Sequence, residues 1–229
     1  MIIGKIERSS LDKIKTLIKL IFEPRLLRAL LFARHNGYLV DTGWNNSFVS
    51  KEPLDKNGKP IPWLTYPAIS FLSDRLSINN DISLFEYGSG NSTIYYSLRV
   101  KKVIAVEHNK EWFDKIKNRL NKNAEIIFKE VDEDRDGDYS RTIKSTNEKF
   151  NIVIIDAEER VNCIKNCCDS LTEDGVIILD DSERKEYTDG IEFLSRKGFK
   201  RLDFYGIAAG IMYQKSTSIF YRKLNCLNI

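Results

Sequence analysis

The chain is poor in the residues that build disulfide frameworks and zinc sites. It has two histidines and four cysteines among 229 residues, and none of the cysteines forms a Cys-x-x-Cys pair. Three of the cysteines, Cys163, Cys167 and Cys168, fall in one predicted helix. Neither a disulfide scaffold nor a zinc centre is therefore expected, and the thiols are interpreted as buried and idle.

Long hydrophobic runs are also missing. No apolar run reaches the roughly 18 to 20 residues that a membrane-spanning helix needs. Glu7 and Asp12 lie where a signal peptide would be uncharged, so we expect a cytoplasmic protein. With 42% hydrophobic and 30% charged residues, the chain can bury one sizeable core and is neither disordered nor fibrous.

Positive charge is concentrated at one end of the chain. Residues 1–35 hold eight Lys and Arg against three acidic residues, a charge of +5 that leaves −2 for the rest of the chain. A main body of that charge does not favour nucleic acid as a partner.

Residues 1–66 are predicted to form an N-terminal helical and lid segment. Apolar residues recur at helical spacing from Leu11 to Phe22, and Pro24 suits the first turn of a second helix that ends near Arg34. This basic, amphipathic pair suits either peripheral contact with a membrane surface or packing against a partner, including a homo-oligomer. Residues 36–66 are rich in turns and aromatics, and they are interpreted as irregular chain or a short hairpin around Asn57-Gly58. Long loops of this kind are often lids.

From Pro67 onward, short apolar runs alternate with helical stretches. Strands are predicted over 83–87, 103–107, 125–131, 152–156, 176–180 and 200–205, with helices near 67–76, 91–99, 110–121, 160–171 and 187–197. A last strand over 217–222 has no helix before it, so it should run antiparallel. The predicted fold class is α/β: a doubly wound, mostly parallel seven-stranded sheet with an antiparallel C-terminal strand, preceded by the N-terminal helices. Residues 67–229 would form this domain.

The ends of the strands are where ligands bind in such a sheet. The first predicted strand runs into Gly88-Ser89-Gly90, where glycine allows a sharp turn and a close approach of the backbone to a ligand. Glu107 closes the next strand about 20 residues later, the position from which an acid binds both hydroxyls of a ribose. The two features together predict a site for an adenosine-containing cofactor.

The run from Glu86 to Thr93 resembles the first motif of the class I S-adenosylmethionine-dependent methyltransferases, and Val106-Glu107 resembles their second, acidic motif. Thr93 stands where a dinucleotide-binding motif has its third glycine. The resemblance implies S-adenosylmethionine as the cofactor, with its methionine part at the glycines and its ribose at Glu107. The cofactor-binding residues so implied are Glu86, Gly88, Ser89, Gly90, Ser92, Thr93, Glu107, His108, Asp132 and Asp156.

Two further choices within this site stay open. Either Glu130 or Asp132, after the third predicted strand, would face the adenine. His108, beside Glu107, is interpreted as a residue of the cofactor edge or the surface rather than as a base.

The fourth and fifth predicted strands also end in acids, Asp156 and the pair Asp180-Asp181. This arrangement is similar to that of the metal-dependent catechol and caffeoyl-CoA O-methyltransferases, and it implies Mg²⁺ bound by these three residues. Asp181 stands where those enzymes have Asn, and Glu159 stands where they have a lysine base. Without a metal, Asp156 is the candidate catalytic base and Arg160 the candidate anchor for an acidic group of the substrate.

The leading hypothesis is an S-adenosylmethionine-dependent methyltransferase that O-methylates a small-molecule or glycan-type acceptor. Trp63, Thr65, Tyr66 and Asp181 are the candidate substrate-binding residues, although the first three could equally pack beneath the N-terminal helices. Two alternatives remain: a non-catalytic binding or assembly module that retains the fold, and an enzyme similar to the aminopropyltransferases.

Overall fold

The computed structural model of the chain describes residues 9–131 and 137–229. Within them, seven strands form one sheet in the order β3-β2-β1-β4-β5-β7-β6. The first five strands are parallel, and β7 pairs antiparallel with both β5 and β6. The strands are β1 (Ser83–Tyr87), β2 (Lys102–Glu107), β3 (Ala124–Phe128), β4 (Phe150–Ile155), β5 (Leu171–Leu179), β6 (Lys200–Gly206) and β7 (Lys215–Tyr221).

Helices cover both faces of this sheet. Because neighbouring residues of a strand point to opposite faces, Leu84 lies in one hydrophobic cluster and Phe85 in the other. Strands buried on both faces are apolar almost throughout, as β4 is. The helices are α1 (Ser10–Phe22), α2 (Pro24–His35), α3 (Tyr38–Asp41), α4 (Trp44–Ser50), α5 (Tyr66–Ile78), α6 (Asn91–Ser97), α7 (Lys110–Lys117), α8 (Asp138–Ser145), α9 (Arg160–Cys167) and α10 (Thr188–Arg196).

The predicted fold class is confirmed, including the antiparallel last strand. That strand inserts between β5 and β6 instead of lying at the edge, so β6 becomes the edge strand. The strand order reverses between β1 and β4, which are neighbours in the sheet. The crevice beyond the carboxyl ends of these two strands is therefore where a ligand is expected.

Three helices were not predicted from the sequence. Helix α8 follows directly on the acidic run before Gly137, and α3 and α4 fall in the stretch interpreted as irregular. The hairpin turn around Asn57-Gly58 is present: the Asp55 N–H donates to the Lys59 carbonyl at 2.8 Å. From Trp44 to Tyr66 the segment packs into the same core as the sheet.

Helices α1 and α2 lie apart from that core. No residue of α2 is buried, and Phe22 and Phe32 are 79% and 61% exposed. Contact of this pair with a membrane surface or a second copy stays a prediction. None of the helices in the described ranges is long and apolar enough to cross a bilayer.

Candidate cofactor site and active site

Gly88 forms the turn at the end of β1. Its φ of 95° is one that glycine adopts without strain, and its N–H donates to the Val106 carbonyl at 2.9 Å. A Cβ at this position would lie 2.4 Å from the carbonyl oxygen of Asp156, which follows β4. The glycine thus allows the ends of β1, β2 and β4 to meet at the point where the strand order reverses.

A buried carboxyl group lies beneath this turn. Glu86 is 1% exposed, and its Oε2 accepts a hydrogen bond of 2.5 Å from the Thr93 hydroxyl. The same hydroxyl oxygen accepts from the Gly90 N–H at 3.0 Å, so Thr93 joins the turn to the carboxyl group. Burial raises the pKa of Glu86 to about 8, although hydrogen bonds from Ser92 and Thr93 oppose the shift.

Glu107 closes β2 beside the turn, as predicted. Its Oε1 accepts from the backbone N–H groups of His108 and Asn109 at 2.9 and 2.8 Å, which fixes the carboxylate. Its Oε2 accepts from the Ser89 hydroxyl at 2.7 Å. A hydroxyl rotates freely, so a ribose hydroxyl can take its place at this oxygen. The backbone therefore fixes the carboxylate at Oε1, while its Oε2 accepts from a hydroxyl.

Two cavities flank the glycine turn and share the Trp112 side chain, whose indole N–H donates to the Ser89 carbonyl at 2.8 Å. Trp112 therefore borders both cavities. The first cavity, about 270 Å³, is lined by Lys51, Glu52, Pro53, Trp63, Ser89, Gly90, Asn91, Ser92, Trp112 and Asp156. The second, about 550 Å³, is lined by Glu107, His108, Asn109, Glu111, Trp112 and Lys115.

The structure describes some, but not all, of the residues expected near the adenine. His108 lies at the edge of the second cavity, with its Nδ1 3.3 Å from Glu107 Oε1. Glu130 is exposed, and Asp132 lies outside the described residues. The contact that either acid would make with the adenine therefore stays a prediction.

Asp156, Asp180 and Asp181 do come together, as the sequence predicted, but they are joined by cations of the protein. Arg160 donates to Asp156 Oδ1 at 3.0 Å and lies 3.5 Å from Asp181 Oδ2. The Lys215 ammonium donates to Asp180 Oδ2 and lies 2.8 Å from Asp181 Oδ1. Lys215, the first residue of β7, is a site residue that the sequence analysis missed.

Burial and the neighbouring charges shift the pKa values of Asp180, Asp181 and Lys215 in this network. Burial raises the pKa of Asp180 to about 7 despite the neighbouring ammonium. Burial also opposes the charge of Asp181, but Lys215 and Arg160 lower its pKa. Burial likewise opposes the charge of Lys215, yet the aspartates hold its pKa above the usual value. Lys215 is therefore a permanent cation of the site.

The donor set does not fit the predicted Mg²⁺ site. Carboxylate oxygens of all three aspartates bind Arg160, Lys215 or Arg184. Among residues 9–131 and 137–229, no group of three or more His, Cys, Asp or Glu side chains is arranged to hold a metal ion. The prediction that Mg²⁺ is bound by these three aspartates is therefore corrected. The positive charge that their carboxylates require comes from arginine and lysine side chains.

Arg160 is placed differently from the substrate anchor that was expected. Its guanidinium donates to the carbonyls of Ala157 and Asp180 at 2.8 and 2.6 Å, in addition to Asp156. Its side chain is 10% exposed. These contacts make Arg160 a residue that orients Asp156, because its donors point to acceptors of the protein.

Of the candidate substrate-binding residues, Trp63 lines the first cavity and donates its indole N–H to the Ala209 carbonyl at 2.7 Å. Thr65 is fully buried and donates to the Phe204 carbonyl at 3.0 Å, and Tyr66 lies in the core. Asp181 faces the cations described above. Trp112 was not singled out from the sequence, because a tryptophan on an amphipathic helix has the same pattern as a core residue.

No protein-family model and no curated protein matches this chain. Solved structures do resemble it. A putative caffeoyl-CoA O-methyltransferase from Staphylococcus aureus has a TM-score of 0.55 at 13% identity, over 85% of this chain and 97% of that one. Precorrin-6y C5,15-methyltransferase from Geobacter metallireducens has a TM-score of 0.53 at 16% identity, over 67% and 86%. An rRNA methylase from Streptococcus thermophilus has a TM-score of 0.50 at 16% identity, over 72% and 100%. The chain has the fold of the class I S-adenosylmethionine-dependent methyltransferases.

Proposed function

We propose that this protein is an S-adenosylmethionine-dependent methyltransferase that methylates an oxygen of a small-molecule or sugar-containing acceptor. The observation that carries the proposal is the Gly88 turn with Glu107 fixed beside it, at the place where the strand order reverses. The likeness to solved methyltransferases agrees with this cofactor, although those proteins have different acceptors.

Different residues around the Gly88 turn would bind different parts of the cofactor. The backbone at Gly88 and Gly90 allows the methionine part to approach closely, and Glu107 accepts hydrogen bonds from the ribose hydroxyls. Glu86 lies under the turn and is joined to it through the Thr93 hydroxyl, which also accepts from the Gly90 N–H, so it helps to fix the glycine backbone. When bound, S-adenosylmethionine supplies a methyl group already activated by its sulfonium.

The acceptor would lie in the cavity between Trp63 and Asp156. Of the three clustered aspartates, Asp156 has the most exposed side chain, 29% against 1% for Asp180 and 9% for Asp181. It is therefore the carboxylate that can take a proton from an acceptor hydroxyl. Arg160 holds the carboxylate in place, and Trp63 forms a flat wall that aligns the acceptor. The small cavity favours a small acceptor group.

Calorimetric titration with S-adenosylmethionine and its demethylated product tests the cofactor. We expect micromolar binding by the wild type and a loss of about tenfold to hundredfold in Glu107→Gln, because charge-assisted hydrogen bonds to the ribose are removed. Glu111→Gln is the matched control: Glu111 lines the same cavity but is exposed, so affinity should change by less than about twofold.

Competition with NAD and with decarboxylated S-adenosylmethionine separates the alternatives. Tighter binding of the decarboxylated compound would favour an aminopropyltransferase-like enzyme. Binding of none of these compounds would contradict the proposal and favour a non-catalytic module that retains the fold.

A further inference from the structure

The position of Lys215 follows from the pairing of β7 with β5. These strands are antiparallel, with Leu179 opposite Ser218, so the start of β7 lies beside the carboxyl end of β5. Thr217 donates to Asp180 Oδ1 at 2.8 Å, and the backbone N–H of Ser182 donates to the Ser216 carbonyl at 2.9 Å. These contacts hold β7 so that Lys215 extends to the carboxylates.

The ammonium of Lys215 has the surroundings of a bound metal ion. Its side chain is 5% exposed, and its contacts are oxygen atoms: a carboxylate oxygen of Asp180, one of Asp181, and the Trp63 carbonyl at 3.3 Å. Carboxylate and carbonyl oxygens are also the ligands of hard divalent cations, which require them at about 2.1 Å in the case of Mg²⁺. The Lys215 ammonium contacts all three of these oxygen atoms.

The carboxylates of the network already have cationic partners. Asp156, Asp180 and Asp181 contact Arg160, Arg184 and Lys215, and Arg184 also lies 3.8 Å from Glu186. A divalent ion added to this set would place further positive charge beside these cations in a largely buried region, which is costly.

We propose that the Lys215 ammonium is a built-in cation that takes the place of a divalent metal ion between Asp180 and Asp181. Its single positive charge is shared by these two buried carboxylates, and Asp156 is left to face the cavity. Through the Trp63 carbonyl it also ties the cavity wall to the carboxylate cluster. Lys215 is thus a positioning residue, and the inference is independent of the proposed methyl transfer, because its test measures metal binding and stability.

The test is the melting temperature of the wild type and of Lys215→Ala, each with and without millimolar Mn²⁺ or Mg²⁺. The wild type should not respond to either ion. Lys215→Ala should melt about 10 °C lower, because removing one partner of a buried ion pair leaves charges uncompensated. Mn²⁺ should then raise the melting temperature of this variant in a saturable way, and calorimetry should detect one bound ion per chain.

Two matched variants isolate the oxygen set. Lys215→Ala combined with Asp181→Asn lacks one carboxylate, so the response to Mn²⁺ should be lost. Lys215→Met fills the space of the lysine stem without its charge, so it should be destabilised without gaining a response to metal. If Lys215→Ala fails to fold alone, refolding from denaturant should succeed only with Mn²⁺.

Three outcomes would overturn the proposal. One is a melting temperature of the wild type that rises with Mg²⁺ or Mn²⁺, together with no such rise for the Asp156→Asn variant. Another is a folded Lys215→Ala that binds no Mn²⁺. The third is a Lys215→Ala that refolds with neither ion.

Discussion

At the scale of single residues, Glu86 links stability to pH. Its pKa is about 8 in the folded chain against an ordinary value of 4.5, so folding favours the protonated form. The folded state then binds more protons than the unfolded state between these two values. Stability contributed by this group is present at low pH and is lost as the pH rises from about 4.5 to about 8.

Replacing Glu86 with Gln removes the titration and keeps the shape. We expect Glu86→Gln to be more stable than the wild type by about 1–3 kcal/mol at pH 9, and to differ little at pH 5. Thermal melts at the two values measure this difference. Glu111→Gln changes an exposed position, so its stability should differ from that of the wild type by the same amount at both pH values. A Glu86→Gln effect that does not change with pH would contradict the raised pKa.

A second single-residue prediction concerns the proton of the acceptor. In Asp156→Asn the side chain keeps its size but has no basic oxygen, so methyl transfer should fall about 100-fold or more while cofactor affinity stays within about threefold. Transfer is measured as formation of the demethylated product, once an acceptor has been found. Glu158→Gln, at the neighbouring exposed position, is the control. A rate unchanged by Asp156→Asn would remove Asp156 from the role of base.

At the scale of elements, residues 51–63 form a segment that borders the first cavity and is tied to α6 and α7. The Asn91 side-chain amide donates to the Pro53 carbonyl at 3.0 Å, and Lys115 lies 3.2 Å from Glu52. Asn91 is itself held by a hydrogen bond of 3.0 Å from Arg119. These two contacts join the segment to α6 and α7, and each can be removed separately.

Removing the amide of Asn91 should loosen that segment without unfolding the sheet. We expect Asn91→Ala to increase hydrogen exchange in residues 51–63 and to weaken cofactor binding about fivefold, which corresponds to about one hydrogen bond. Lys115→Ala, which removes a partly exposed ion pair, should have a smaller effect. Faster exchange throughout the sheet would instead assign Asn91 to the core.

Element by element, the sequence was most informative where the pattern is local. Alternating apolar runs and helices predicted the parallel strands, and Gly88 and Glu107 were found because a glycine turn and an acid at strand ends have fixed spacing. Helix α8 was missed because its short, polar sequence follows the acidic run before Gly137. Lys215 was missed because it meets Asp180 only through β7, 35 residues farther along the chain.

At the scale of the whole molecule, charge and burial divide the chain in the same place. The first 35 residues carry the positive excess, and the described large apolar side chains of α1 and α2 are exposed. Beyond them, Trp44 is 8% exposed and donates its indole N–H to the Ile211 carbonyl at 2.9 Å. The N-terminal segment predicted from the sequence therefore joins two unlike parts: an exposed helix pair, and a stretch from Trp44 onward that completes the core.

This division predicts that the chain tolerates loss of residues 1–35. The truncated protein should melt within about 3 °C of the full chain and bind S-adenosylmethionine equally well, because no residue of α2 is buried and the described large apolar side chains of α1 are exposed. Trp44→Ala in the full chain is the contrasting variant and should lose about 3–5 kcal/mol, since it leaves a cavity in the core. A truncated protein that is much less stable would mean that the helix pair packs on its own domain. Unchanged stability would mean that the apolar face of the helix pair does not contribute to the fold. That face could then contact a membrane surface or a second copy of the chain.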